Sequence, residues 1–172
     1  TELEQLAGRW SRSRAVREYE SGIVRELDEF RCRTRRELGI SVDDDAFDRI
    51  FGQMIGELFD ETIPLLTALK PYYRLMILSN TSPFHWARCR DKQGLGAFFE
   101  KVYISCEMGV MKPDPMIYNL VLQDVRVMPQ NILFFDDRQE NVDAALKIGF
   151  TAVQTFGGSP LINDLRKLKI IE

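Results

Sequence analysis

The chain has a single histidine, His85, and only three cysteines, Cys32, Cys89 and Cys106, which lie far apart and show no C-x-x-C spacing. That scarcity excludes a cysteine and histidine zinc site and a disulfide framework. Three reduced, mostly packed thiols are expected instead. An excess of one charge is also lacking: 23 Lys and Arg stand against 26 Asp and Glu, a formal net charge of −3. With no global basic field to hold nucleic acid or an anionic membrane, a small discrete ligand is the expected partner. Apolar runs such as 75–78 and 132–135 are far too short to span a bilayer, and no charged-then-apolar leader opens the chain. The expected setting is soluble and cytoplasmic. Internal repeats, low-complexity tracts and Pro/Gly/Ser linkers are absent too, so the chain is not built as an array or a string of modules. Nothing in it specifies an oligomeric state.

What is present is enough for a real core: 172 residues, 45% of them hydrophobic. Residues 22–58 read as helical. Ile23, Leu27 and Phe30 fall on one stripe, Gly39 ends that helix, and Phe47, Ile50, Phe51, Met54 and Ile55 form the stripe of another. The acidic run Asp43, Asp44 and Asp45 suits the start of the second helix, where carboxylates complement the positive end of the macrodipole, better than it suits a metal. From Pro64 onward short apolar runs at 75–78, 102–104, 132–135 and 151–155 alternate with helical patterns. That alternation predicts an α/β fold, a three-layer Rossmann-like parallel sheet with helices on both faces. Function is then expected just after each strand, at its carboxyl end. The expected organisation is a helical cap region over 1–60 and an α/β core over 61–172.

Three strand ends carry chemistry. The first finishes in Ser79-Asn80-Thr81, with Pro83 near a helix start, where backbone N–H groups and the Ser79 hydroxyl suit an oxyanion. The same triplet is also ordinary turn and N-cap chemistry. After the second strand, Lys112 is held between Met111 and Pro113, ahead of Asp114 and Pro115 as N-cap and N1 of the next helix. A lysine fixed there can hold an anion, although most lysines are solvated surface charges. The third strand runs straight into Asp136-Asp137. Two adjacent carboxylates at a core edge are costly unless a cation or donors neutralise them, and hard oxygen ligands suit magnesium. Helix capping by Asp137 would account for one of the two but not for both. Hydroxyl, ammonium and carboxylates at neighbouring strand ends are what binding a phosphate beside magnesium requires. His85 has no paired base, and its bland role is to help start the helix after Ser79, beside Phe84 and Trp86.

On these motifs the sequence resembles the haloacid dehalogenase-like hydrolases, specifically the subfamily with a small helical cap and sugar-phosphate phosphatase members. The stretch from Trp10 through Tyr19 to Gly22 is similar to that subfamily's cap segment, as is the stretch from Ser79 to His85 and Trp86. The resemblance implies that Ser79 and Lys112 act in catalysis, that Ser79, Asn80, Thr81 and Lys112 bind phosphate, and that Asp136 and Asp137 bind Mg2+; Asp136, first after the strand, is expected as the direct ligand. The implied activity is magnesium-dependent hydrolysis of a small phosphorylated metabolite through an aspartyl-phosphate. Family members open with a strand ending in the attacking aspartate, and no such strand precedes Thr1. The expectation is therefore a nucleophile upstream, across roughly 20 further residues, a missing central strand in the sheet, and a chain inactive as it stands. Asp28, Asp43 and Asp60 do not follow apolar strands and are not assigned the attack. A 2-haloacid dehalogenase and a catalytically inactive phosphate-binding module are the alternative readings. Tyr19, Glu20 and Arg17 are candidates for substrate selection by position alone.

Overall fold

A computed structural model describes residues 8–92 and 94–172 of the chain. The first seven residues of the expected cap region lie outside them. The backbone falls into two compact units, one of residues 1–56, 77–97 and 101–111, the other of residues 57–76, 98–100 and 112–172.

The first unit begins with helical residues 8–12, then α1 (Arg14–Glu20), α2 (Leu27–Leu38) and α3 (Asp44–Gln53). Its core is aromatic. Phe30 is fully buried, stacked on Tyr19 with centroids 4.1 Å apart and 5.0 Å from Phe51, while Trp10, Phe47 and Phe84 close the cluster. Phe47 and Phe51, one turn apart on α3, both face inward. Ile50 and Met54, expected on the same stripe, stay 49% and 46% exposed. Ile50 lies about 80° around the helix from the direction shared by Phe47 and Phe51, and Met54 follows the helix end. Ile23 is exposed for a simpler reason: α2 starts four residues later, so helical spacing does not govern it. The acidic run has structural partners, as expected. Asp43 Oδ1 accepts the Ala46 N–H at 2.7 Å to cap α3, and Asp44 pairs with Arg35 at 2.6 Å.

In the same unit β1 (Met76–Ser79) leads into α5 (Pro83–Ala87), with the second unit's α4 (Thr62–Leu69) preceding it in the chain. Pro83 takes the first helical position and Ser82 Oγ accepts the His85 N–H at 3.2 Å. A π turn at Arg88–Lys92 and a 3-10 turn at Leu95–Ala97 lead to β2 (Lys101–Ile104) and the short α6 (Ser105–Met108).

The second unit holds α7 (Pro115–Val125), β3 (Leu133–Asp136), α8 (Gln139–Ile148), β4 (Thr151–Gln154) and α9 (Gly158–Lys167). Asp114 caps α7 through the Met116 N–H at 2.8 Å, with Pro115 at N1. β3 and β4 pair in parallel, Leu133 opposite Thr151 through Asp136 opposite Gln154. Tyr118, fully buried on α7, meets Phe134 and Phe150 edge-on at 5.8 and 5.9 Å, and Ile117, Val121, Val142 and Ala145 complete the packing.

The four expected strands all form, each within one or two residues of its sequence-based range. Among the described residues they make two pairs, β1 with β2 and β3 with β4, and no strand joins one pair to the other. No helix among the described residues is long and apolar enough to cross a membrane.

Candidate functional site

In the first unit the carboxyl end of β1 turns through Ser79, Asn80 and Thr81, the first two half-buried and Thr81 buried. The Thr81 N–H is committed within the protein: it donates to Ser105 Oγ at 3.0 Å. Of the three residues of this turn expected to take phosphate, Thr81 therefore brings no free amide. Its place is to fix the turn. Ser105 is the residue that sequence reasoning missed here. It has 0% exposure and donates to the Glu20 carbonyl at 2.6 Å, while the Thr81 carbonyl lies 3.3 Å away. A readable signal existed, because Ser105 follows an apolar strand as directly as Ser79 does.

His85 follows this turn in α5. It is buried, with its ring centroid 4.0 Å from that of Phe51, and Nε2 lies 2.8 Å from the Phe51 carbonyl. That contact assigns the proton to Nε2 in the neutral ring. Burial lowers its pKa below the ordinary histidine value, the Phe51 carbonyl works the other way, and Arg88 adds to the lowering.

In the second unit the structure brings Lys112 and Asp136 together. Lys112 Nζ donates to Asp136 Oδ2 at 2.6 Å, and Nζ also lies 5.5 Å from the centre of the Phe134 ring. Asp136 Oδ1 accepts the Arg138 N–H at 2.9 Å and Asn141 Nδ2 at 2.8 Å. Burial alone would raise the pKa of this carboxyl. Lys112, the Arg138 amide and Asn141 together outweigh it and hold the group below the usual carboxylate range. Asn141, 2% exposed in the first turn of α8, was also missed from sequence. Its backbone carbonyl accepts the Tyr118 hydroxyl at 2.9 Å, and its Oδ1 is a buried acceptor without a partner.

Asp137 behaves differently from its neighbour. It is exposed, and its carbonyl accepts Gln154 Nε2 at 2.8 Å. It does not cap α8: the N-cap position belongs to Arg138, and the inward-facing Asp136 takes the amide of the turn. The two aspartates have thus separated into a carboxylate oriented by three donors and an outward one.

Whether these groups suit magnesium can be judged from their chemistry. Asp137 offers a carboxylate, Asn141 Oδ1 is an unsatisfied oxygen, and nitrogen or sulfur ligands are not among them. No group of three or more His, Cys, Asp or Glu side chains able to hold a metal occurs among the described residues. An all-oxygen set short of three carboxylates fits a cation that keeps waters and substrate oxygens in its shell, as Mg2+ does.

Comparison with known proteins places these strand ends in a family. The pattern of haloacid dehalogenase-like hydrolases matches residues 2–149. The chain belongs to the haloacid dehalogenase-like hydrolases. It is 27% identical over 161 residues to a D-ribitol-5-phosphate phosphatase from Bacteroides thetaiotaomicron, covering 86% of this chain and 78% of that protein. Among solved structures, a predicted HAD-like family hydrolase from Porphyromonas gingivalis superimposes with a TM-score of 0.85 at 27% identity, covering 99% of this chain and 85% of that one. A HAD family enzyme from B. thetaiotaomicron, in complex with magnesium and inorganic phosphate, superimposes with a TM-score of 0.79 at 26% identity, over 91% and 81% of the two chains.

Proposed function

We propose that this hydrolase is a magnesium-dependent phosphatase of small phosphate esters, a phosphorylated sugar, polyol or similar metabolite. The observation that carries the reading is the division of labour at the end of β3, where the Asp136 carboxylate holds Lys112 and leaves Asp137 outward. The phosphatase relative and the relative crystallised with magnesium and phosphate support it.

In this proposal Lys112 is the cation for the phosphoryl oxygens, aimed by its hydrogen bond to Asp136. Ser79 and Asn80, in the first unit, are proposed phosphate donors on the family resemblance, through hydroxyl and amide groups. Asp137 is proposed as a carboxylate for Mg2+, beside Asp136, the expected direct ligand, which takes Lys112 on Oδ2 and Arg138 and Asn141 on Oδ1. When bound, the ion would neutralise charge on the phosphoryl group.

Three of the aspartates named from sequence are committed to other partners. Asp28 pairs with Arg31 at 2.5 Å, Asp43 caps α3, and Asp136 is engaged as above. The proposed nucleophile is the aspartate of the family's opening strand, upstream of Thr1, which would form the aspartyl-phosphate. The cytoplasm is the proposed compartment, in keeping with three free thiols.

The test is hydrolysis of a polyol phosphate and of p-nitrophenyl phosphate by the protein carrying its native upstream sequence, titrated with Mg2+ and repeated with Asp137→Asn. Magnesium-dependent turnover that Asp137→Asn abolishes is expected. Phosphate binding without turnover, or halide release from 2-chloropropionate in place of phosphate release, would overturn the proposal.

A further inference from the structure

Ser105 touches no residue to which the proposed chemistry gives a reacting role, yet it is completely buried where three segments of the first unit meet. Its oxygen accepts the Thr81 N–H at 3.0 Å, in the turn that follows β1. Its one proton goes to the Glu20 carbonyl at 2.6 Å, since the alternative acceptor, the Thr81 carbonyl, is 3.3 Å away. A single hydroxyl on β2's carboxyl end thus bonds the turn carrying Asn80 and Thr81 to the loop that leaves α1. A second, independent contact fixes the same loop. Gly22 has φ +74°, and a Cβ placed on it would stand 2.1 Å from the Cys106 carbonyl oxygen. Backbone lies directly against backbone there, with no room for any side chain. Within the loop, the Ser21 N–H bonds to the Arg17 carbonyl at 2.9 Å and the Gly22 N–H to the Tyr19 carbonyl at 3.2 Å, so it is internally braced as well as anchored.

We propose that Ser105 is a positioning residue that locks the loop of residues 20–22 to the turn of residues 80–81, making the loop a fixed wall that selects the alcohol portion of the phosphate ester. The selectivity half of this rests on the phosphatase reading above; the junction itself rests on the hydrogen bonds and the Gly22 contact alone. A wall held by a hydroxyl at the end of β2 and bonded to the turn that follows β1 keeps a constant distance from that turn. Esters whose alcohol fits that distance are favoured, and freeing the wall should weaken the discrimination more than it weakens turnover of an ester that does not depend on it.

The experiment uses the protein with its native upstream sequence and the variant Ser105→Ala, with two readouts. The first is the ratio of kcat/KM for a five-carbon polyol phosphate to that for p-nitrophenyl phosphate. The ratio is expected to shift by about fivefold or more, mainly through KM for the polyol ester. The second is amide hydrogen exchange, in which Thr81, Ser21 and Gly22 should lose protection together. An equal fall in both esters at an unchanged ratio would make Ser105 merely structural and overturn the proposal. So would faster exchange at Thr81 with Ser21 and Gly22 protected as in the wild type. If the wild type hydrolyses neither ester, the phosphatase reading fails and takes the selectivity with it, whereas coupled exchange would still uphold the junction.

Discussion

Lys112 Nζ lies 2.6 Å from Asp136 Oδ2, and the two side chains keep only 9% and 4% of their exposure. Breaking a buried pair from one side leaves a charge without its partner, which costs far more than losing a surface ion pair. Lys112→Met should therefore destabilise the protein by about 3 kcal/mol, at the lower end for such pairs because Arg138 and Asn141 still bond Asp136. Sequence alone suggests a lysine reserved for an anion, whose removal would leave the melting temperature nearly unchanged. Urea denaturation of the variant separates the two: a midpoint within error of wild type would return Lys112 to the surface-like role.

The same pair makes a prediction about acid. The folded-state pKa of Asp136 is lowered, so its charged form is favoured on folding. Its contribution is fully present above the unfolded carboxylate value of about 3.9 and is lost as pH falls through the lower folded value. The stability difference between wild type and Asp136→Asn should be flat from neutral pH down to about 4 and shrink below that. A difference that stays constant in acid would mean that Asp136 is not ionised in the native protein.

Gly22 and Gly39 separate two reasons for a glycine. Both have positive φ, +74° and +65°, but a Cβ at Gly39 meets nothing within 4 Å, whereas at Gly22 it would strike the Cys106 carbonyl oxygen at 2.1 Å. Gly39→Ala should cost about 1 kcal/mol for the left-handed backbone alone. Gly22→Ala adds a backbone collision and should cost about 3 kcal/mol or more, since neither segment can move without breaking the Ser105 bonds. Thermal melts of the two variants, expected in that order, check it; equal costs would mean that the loop moves aside freely.

How much was legible follows from which interactions are local. The strands and the caps at Asp43, Asp114 and Pro115 were readable because they depend on residues within a turn of one another. The positions of Ser79, Asp136 and Asp137 at strand ends followed from the alternation of apolar runs, whereas a helical turn, α6, separates Lys112 from the end of β2. Which of Asp136 and Asp137 meets Lys112 was not readable, because that lysine lies 24 positions away. Ser105 was hidden for the same reason: its partners Thr81 and Glu20 lie 24 and 85 positions off, and no periodicity encodes them. Ile23 misled because an apolar residue four places before a helix has the right spacing but no helical backbone to carry it.

His85 sits 6% exposed among aromatic rings, with Nε2 on the Phe51 carbonyl at 2.8 Å. Protonation would leave that hydrogen bond intact, because Nε2 already carries the hydrogen. What it would add is a positive charge removed from water, near Arg88. Burial accordingly sets the folded pKa below the unfolded value of about 6.5. Between those two values the unfolded chain binds more protons than the native one, so stability rises with pH there. The contribution is complete above about pH 6.5 and is lost as pH falls through the folded value. His85→Gln keeps an N–H donor for Phe51 but cannot titrate. Urea midpoints measured from about pH 7.5 to about pH 5 should decline more steeply for wild type than for His85→Gln, with carboxylate effects common to both cancelling in the difference. Parallel profiles would show that the imidazole is solvated, and a phosphatase pH profile that changes with the same substitution would give His85 a part in the reaction that its contact with Phe51 does not suggest.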